Sequence, residues 1–305
     1  MEYHVPVMAK EVLLLLEPKE NKKILDCTLG GGGHTRLFLD AIGENGLVVG
    51  IDRDIEAINR NKDLENLPNF KMYNIPFDEV LKIDLINFGL KFDGVLLDLG
   101  VSSRQLDSAI RGFTFRDDAR LDMRMGEGSD FDAEYVVNNY TFDDLVKIFK
   151  EYGEEKFSKK IASRIISQRE KEPIKSTNQL KNIVESCVPG KHSLKSVARI
   201  FQAIRIDVND ELGQLKRFLD FVLEILNPGG RVAVIAYHSL EDRIVKNFIN
   251  EGEKECVCPK EFPVCICNKV KILKKITRKA LEPTEEEIKL NSRARSAKMR
   301  VFEKV

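Results

Sequence analysis

The hydrophobic pattern divides the chain into two kinds of segment. In the first third, short apolar and β-branched runs alternate with helix-length stretches, and several runs lack the in-out alternation of a half-exposed strand. Such runs are typical of strands buried on both faces of a mostly parallel sheet. A further helix–strand unit comes late, where apolar residues recur every three or four positions before a predicted helix stop at Asn227-Pro-Gly-Gly; they are Leu212, Leu215, Leu219, Val222 and Leu226. The predicted strands are 23–28, 47–52, 70–73, 92–99 and 231–237.

The middle of the chain has a helical period and no strand pattern. Thr141 followed by Asp144, and Ser176 before another periodic run, are typical of helix N-termini. We therefore expect an α/β domain, residues 1–107 and 207–305, interrupted by an all-helical domain at 108–206. The predicted helices of that insertion are 142–152, 154–169, 177–188 and 193–206.

Composition indicates a globular protein. The chain has 305 residues, 43% apolar and 32% charged. No apolar run approaches the ~20 residues of a membrane span, and the N-terminus lacks a signal peptide's basic start, so we expect a cytoplasmic protein without membrane contact.

The formal net charge is zero, but the charge is unevenly distributed. Lys and Arg outnumber Asp and Glu by 13 to 6 in residues 150–206 and by 12 to 5 in residues 269–304. Two basic blocks permit a nucleic-acid partner without requiring one, because solvated charged helices give similar counts.

Four glycines follow the first predicted strand, in the segment Thr28 to His34 (TLGGGGH). Glycines there suit a sharp turn that lets a ligand approach the backbone closely. The dinucleotide fingerprint needs a third glycine where this chain has Thr35 or Arg36, which weakens a nicotinamide interpretation. Asp52 ends the second strand, where a carboxylate can accept both hydroxyls of an adenosine ribose, in NAD or in S-adenosylmethionine alike.

Longer motifs along nearly the whole chain resemble one family. It is the RsmH family, also called MraW, S-adenosylmethionine-dependent methyltransferases that act on a cytidine of small-subunit ribosomal RNA. The motifs are 28–34 (TLGGGGH), 98–103 (DLGVSS) with 105–107 (QLD), 111–115 (RGFTF), 121–124 (LDMR), 152–157 (YGEEKF), 201–205 (FQAIR), 238–243 (HSLEDR) and 292–296 (SRARS).

The resemblance implies a Rossmann-like class I methyltransferase sheet with an inserted helical domain that recognises RNA. It also implies N4-methylation of a cytidine in the decoding region of 16S ribosomal RNA, within an assembled small subunit. The residues it implies for S-adenosylmethionine are Gly32, Gly33 and His34 in the loop, Asp52 on the ribose, Phe77 near the adenine, and Asp98 and Gln105 around the methionine end.

The predicted catalytic residues are Asp98 and His238. Many amino-methyltransferases carry an Asp/Asn-Pro-Pro-aromatic motif after the fourth strand, whereas this chain has Asp98-Leu-Gly-Val. The aromatic residue that stacks on the base is therefore open between Phe113, Phe115 and Tyr237. We expect Asp98 to accept hydrogen bonds and a proton from the cytosine amino group, and we weigh for His238 both a catalytic and a structural role.

Basic side chains of the two basic blocks are the predicted contacts of the RNA backbone. They are Lys159, Lys160, Arg164, Arg169, Lys191 and Lys195 in the insertion, and Arg293, Arg295, Lys298 and Arg300 in the tail.

Four cysteines form two Cys-x-Cys pairs, Cys256 with Cys258 and Cys265 with Cys267. The spacing is tighter than the usual zinc spacing, so zinc, reduced thiols and an adventitious disulfide all stay open, and the family does not decide because only some members have this segment. We predict no metal in the reaction site.

The alternative functions are a class I methyltransferase acting on another RNA or on DNA cytosine, and a non-catalytic nucleic-acid-binding module. The sequence leaves the oligomeric state open.

Overall fold

The computed structural model describes residues 6–101, 111–126, 130–259 and 265–305. The chain divides into two compact units: Met1–Gly100 with Gly213–Val305, here the sheet unit, and Val101–Leu212, here the helical unit. The predicted junctions, 107/108 and 206/207, lie within seven residues of these boundaries. Among the described residues, no helix has both the length and the apolar character needed to cross a bilayer.

A seven-stranded sheet in the order β3-β2-β1-β4-β5-β7-β6 organises the sheet unit. Strands β1 to β5 pair in parallel, whereas β7 runs antiparallel to both β5 and β6. This arrangement confirms the predicted Rossmann-like α/β class. The strands are β1 Lys23–Asp26, β2 Leu47–Ile51, β3 Phe70–Tyr73, β4 Phe92–Asp98, β5 Leu226–Ala236, β6 Leu273–Lys275 and β7 Lys298–Lys304.

Both faces of the sheet are covered, as the continuous apolar runs predict. Neighbouring strand residues such as Leu96 and Leu97 enter different hydrophobic clusters, and neither is exposed. One cluster includes Phe38 from the helix after β1, and the other includes Phe218 from the helix before β5. A strand that packs on both faces needs apolar side chains at successive positions, so its apolar run is continuous.

The helices of the sheet unit cover these two faces. They are α1 Ala9–Leu16, α2 Gly33–Ile42, α3 Ile55–Arg60, α4 Asp84–Asn87, α10 Glu211–Phe221, which begins at the junction, α11 Ser239–Gly252 and α12 Glu285–Leu290.

Asn227-Pro-Gly-Gly lies inside β5 rather than between a helix and the strand, which corrects the predicted helix stop. Phe92 pairs with Leu226 and Gly94 with Arg231, so the four residues 227–230 of β5 lie opposite the single residue Asp93 of β4. Gly229 has a φ of 75° within this irregularity. The segment is therefore a bulge inside one long strand.

The described residues of the helical unit form helices around a separate core. Thr141 and Ser176 each begin a helix with a capping box, at an expected gain of about 1 kcal/mol per cap. The helices are α5 Ala133–Asn139, α6 Phe142–Glu151, α7 Ser158–Arg169, α8 Thr177–Cys187 and α9 Ser193–Asn209.

Candidate active site

The glycine loop connects β1 to the N-terminus of α2. Gly30 and Gly32 have φ angles of 50° and 75°, which favour glycine, and a Cβ on Gly32 would lie 1.9 Å from Oδ1 of Asn61. A Cβ on Gly31 would meet nothing within 4 Å, and Gly31 is exposed. The loop therefore packs on the protein at Gly32 and presents open space at Gly31.

Asn61 braces this loop from behind. Its side chain is fully buried, and its Nδ2 donates to the carbonyl oxygens of Gly30 at 3.0 Å and Ala57 at 2.9 Å. The sequence analysis did not single out Asn61, because an asparagine at the end of a helix carries no local sign of a contact with a loop 29 residues earlier.

Asp52 follows β2 and fixes the start of the loop. Its Oδ2 accepts from the Gly30 N–H at 2.9 Å, and its Oδ1 accepts from the Asp54 N–H at 2.8 Å. Burial raises the pKa of Asp52 to about 6, against the lowering effect of those two N–H groups. Each oxygen retains a lone pair, so the half-buried carboxylate can still accept hydroxyl groups.

Asp98 ends β4 in direct contact with Tyr237, which follows β5. The Tyr237 hydroxyl donates to Oδ1 of Asp98 at 2.8 Å, and the Asp98 side chain is 22% exposed. Burial raises the pKa of Asp98 to about 7, the Tyr237 hydrogen bond lowers it, and the charges of Asp26 and Glu241 raise it further. This carboxyl group therefore titrates near neutral pH.

Asp26 and Thr28 connect these parts, and the sequence analysis assigned neither a site role. Asp26 accepts from the Thr35 hydroxyl at 2.7 Å, and burial raises its pKa to about 6. Thr28 Oγ1 accepts from the Asp98 N–H at 2.8 Å, which ties the glycine loop to β4. A carboxylate at the end of a buried strand was the sequence signal that could have found Asp26.

The His34 side chain is engaged in holding the N-terminal segment. It is 6% exposed, and its Nε2 lies 3.0 Å from the carbonyl oxygen of Val7, so Nε2 carries the proton and donates. Burial lowers the pKa of His34 to about 4, so the ring is neutral at pH 7. Its Nδ1 lies 3.9 Å from Oδ2 of Asp98, beyond hydrogen-bond distance.

His238 caps α11 rather than projecting into open space. Its Nδ1 accepts from the Glu241 N–H at 3.5 Å, while Oε2 of Glu241 accepts from the His238 N–H at 3.2 Å and the Tyr237 N–H at 2.9 Å. The ring is 7% exposed, and its Nε2 lies 3.2 Å from Oε1 of Glu241. These contacts favour the structural role, and the catalytic role of His238 stays a prediction.

The remaining predicted cofactor residues are Phe77 and Gln105. Phe77 lies just past β3, half-buried, with its ring edge-to-face against Phe218 at a centroid distance of 5.6 Å. Gln105 lies outside the described residues.

Two of the three predicted stacking aromatics pack in the helical unit. Phe113 is 7% exposed within the helical core, and Phe115 packs against Phe201 with ring centroids 5.4 Å apart. Tyr237 belongs to the sheet unit and is fixed by Asp98.

Comparison with known proteins shows the family. The family model described as the MraW methylase family matches residues 1–305. The chain belongs to the MraW methylase family.

Curated relatives of this methylase are similar over their full length, and each is named "Ribosomal RNA small subunit methyltransferase H". The protein from Halothermothrix orenii is 46% identical over 308 residues, covering 99% of this chain and 98% of the relative. Those from Caldicellulosiruptor saccharolyticus and Clostridioides difficile are 45% and 43% identical, covering 100% and 99% of both chains.

The methyl donor of this MraW methylase is S-adenosylmethionine, and the residues at the sheet edge fit it. The open space at Gly31 is a cradle that a side chain would fill, and the half-buried Asp52 offers an acceptor next to Gly30. The first N–H groups of α2 have no partner within the helix, so they suit the carboxylate of the methionine end.

Proposed function

We propose that this methylase N4-methylates a cytidine in the decoding region of 16S ribosomal RNA. The observation that carries the proposal is the Asp98 carboxylate, held at 2.8 Å by Tyr237 beside the glycine loop, with a pKa of about 7. The names of the full-length relatives support the small-subunit RNA as substrate.

The chemical difficulty of this reaction lies in the nucleophile. The amino group of cytosine shares its lone pair with the ring, so it needs a hydrogen-bond acceptor that draws it toward tetrahedral geometry and takes its proton. Oδ1 of Asp98 is occupied by Tyr237, which leaves Oδ2 for the amino group. A pKa of about 7 matches a proton acceptor at neutral pH.

The other side chains orient the reactants. When bound, S-adenosylmethionine supplies an electrophilic methyl group on a sulfonium. Asp52 accepts the ribose hydroxyls, Phe77 lies near the adenine, and the backbone of Gly32, Gly33 and His34 receives the methionine end. Holding two reactants in line contributes roughly 7 to 11 kcal/mol to such a displacement.

Exposed basic side chains of the helical unit bind the RNA backbone in this proposal. Lys159, Lys160, Arg164 and Lys195 are exposed. The proposal includes a cytoplasmic location, which a ribosomal RNA substrate supports.

Two of the predicted RNA contacts have partners inside the protein. Arg169 donates to the carbonyl oxygen of Val137 at 3.0 Å. Arg300 forms two hydrogen bonds with Asp242, at 2.7 and 3.1 Å, and its side chain is 13% exposed. Both arginines therefore also stabilise the fold, and their contact with RNA stays a prediction.

The direct test is transfer of labelled methyl from S-adenosylmethionine to small ribosomal subunits from cells that lack the endogenous enzyme, followed by nucleoside analysis. We expect the label in N4-methylcytidine, and more of it on assembled subunits than on naked 16S RNA. Label in another nucleoside, or on DNA only, would overturn the proposed substrate. Cofactor binding without transfer to any small-subunit substrate would favour a binding module.

A further inference from the structure

Four cysteines form a cluster in the connection that follows the C-terminal end of α11 and leads to β6. The Sγ atoms of Cys256, Cys258, Cys265 and Cys267 all lie within 4.8 Å of one another. Cys265 Sγ is 3.4 Å from that of Cys256, 3.5 Å from that of Cys267 and 4.0 Å from that of Cys258, and Cys256 and Cys267 are 3.8 Å apart. All four cysteines are free thiols.

These separations fit a single tetrahedral metal ion. Zinc bonds thiolate sulfur at about 2.3 Å, so the sulfurs of a regular tetrahedron lie about 3.8 Å apart. The four sulfur separations of 3.4 to 4.0 Å include that value. These separations exclude a disulfide, whose two sulfurs lie about 2.05 Å apart. A four-iron cluster places its own iron and sulfide atoms between the cysteines and needs wider separations.

Backbone N–H groups point at the same sulfurs. The Cys258 N–H donates to Sγ of Cys256 at 3.3 Å, the Val257 N–H to Sγ of Cys267 at 3.4 Å, and the Ile266 N–H to Sγ of Cys258 at 3.4 Å. Such donors stabilise charged thiolates, the form that binds a metal. The tight Cys-x-Cys spacing brings these N–H groups next to the sulfurs.

We propose that Cys256, Cys258, Cys265 and Cys267 bind one zinc ion as a structural tetrathiolate site. Four protein ligands leave no open position for a substrate, so the ion holds the chain and takes no part in methyl transfer. The site closes the connection from α11 to β6, whose ends already meet where the Ile272 N–H donates to the carbonyl oxygen of Gly252 at 3.0 Å. This inference does not depend on the proposed function.

The test starts with untagged protein purified without oxygen and analysed by elemental mass spectrometry. We expect one zinc per chain. Cobalt(II) added to chelator-stripped wild-type protein should give the absorption of a tetrahedral cobalt thiolate, a readout that needs no variant and no enzyme activity. Cys256→Ser and Cys265→Ser should each lose most of the zinc in competition with a chromophoric chelator. Ile266→Ser is the matched control, because that side chain is 67% exposed in the same segment, and it should keep one zinc.

Three outcomes would overturn the site. The first is metal-free anaerobic protein with all four thiols open to alkylation and no cobalt uptake. The second is a disulfide among the four cysteines in that preparation, detected by mass spectrometry. The third is one iron per chain in place of zinc, which would support the four cysteines as ligands but refute zinc as the metal.

Discussion

Each unit contains a tyrosine hydroxyl that donates to a half-buried aspartate. In the sheet unit Tyr237 donates to Asp98 at 2.8 Å, and in the helical unit Tyr140 donates to Asp207 at 2.7 Å. In both pairs burial raises the pKa of the aspartate and the tyrosine lowers it. The two pairs are thus close chemical equivalents.

The surroundings of the two pairs differ. Asp98 lies at the carboxyl edge of a parallel sheet, where its main chain is tied to the glycine loop through Thr28 and where the charge of Asp26 raises its pKa. Asp207 is on α9, and its hydroxyl partner follows α5, so this bond joins two helices. A tyrosine–aspartate pair therefore does not identify a reaction site by itself, and the proposed role of Asp98 rests on its position beside the glycine loop.

The largest expected effect is on the rate of methyl transfer, which should distinguish Asp98 from Asp207. Asp98→Asn should slow methyl transfer by about 10²- to 10⁴-fold, because an amide cannot take the proton of the amino group. Asp207→Asn, the matched control, should transfer at the wild-type rate. Single-turnover rates with saturating cofactor give both values, and equal rates for the two variants would break the comparison.

The same substitution should stabilise the fold. The folded pKa of Asp98, about 7, lies above the ordinary aspartate value of 3.8, so its ionisation weakens the fold as pH rises from about 4 through 7. Asp98→Asn should therefore melt above the wild type at pH 8, and the difference should shrink toward pH 4. A variant that melts lower at pH 8 would contradict the raised pKa.

Asp52 tests whether the sheet edge holds the adenosine. Asp52→Ala should weaken S-adenosylmethionine binding about 10- to 100-fold in calorimetry, because hydrogen bonds to a charged acceptor contribute about 1.5 to 3 kcal/mol each. Asp40→Ala, an exposed acid on α2, is the control. Unchanged affinity in Asp52→Ala would remove Asp52 from the cofactor site.

Substitutions at two neighbouring glycines distinguish an effect on stability from an effect on cofactor binding. Gly32→Ala places a Cβ 1.9 Å from Asn61 at a φ of 75°, so it should lower Tm. Gly31→Ala meets no protein atom within 4 Å and should keep Tm while weakening cofactor binding several-fold. Wild-type affinity in Gly31→Ala would show that the cradle is not used.

The smallest expected effect concerns the helical unit. Lys159→Glu with Lys160→Glu should weaken binding to small subunits several-fold and reduce the slope of log affinity against log salt by roughly 1 to 2. Lys10→Glu with Lys62→Glu makes the same charge change at exposed positions of the sheet unit. Equal losses in both double variants would indicate bulk charge rather than a binding surface.

Local pattern predicted most of the fold, because a strand buried on both faces and an amphipathic helix each leave a mark within a few residues. The bulge at Asn227-Pro-Gly-Gly could not be predicted, since it depends on pairing with Phe92, far away in the sequence. Strand β7 was also missed, because the tail is basic and its pairing with β5 is a long-range contact.

Long-range contacts also limited the prediction of the candidate site. The positions of Asp52 and Asp98 at strand ends were local signals, whereas the bond from Tyr237 to Asp98 joins residues 139 positions apart. The capping role of His238 was hard to predict because histidine is not among the preferred N-cap residues. Long family motifs such as 238–243 therefore identified the family while some of their residues hold the backbone.

The most direct measurement of the central claim is the pH dependence of single-turnover methyl transfer with cofactor and RNA both below saturation, where the rate follows the ionisation of the free enzyme. Wild type should gain rate as pH rises, with a midpoint near 7, as the Asp98 carboxyl loses its proton. Tyr237→Phe removes a hydrogen bond that lowers the pKa of Asp98, so its midpoint should move to higher pH, whereas Tyr140→Phe should leave the midpoint unchanged. A flat profile between pH 5.5 and 8.5, or the same midpoint in Tyr237→Phe as in wild type, would contradict the role assigned to Asp98.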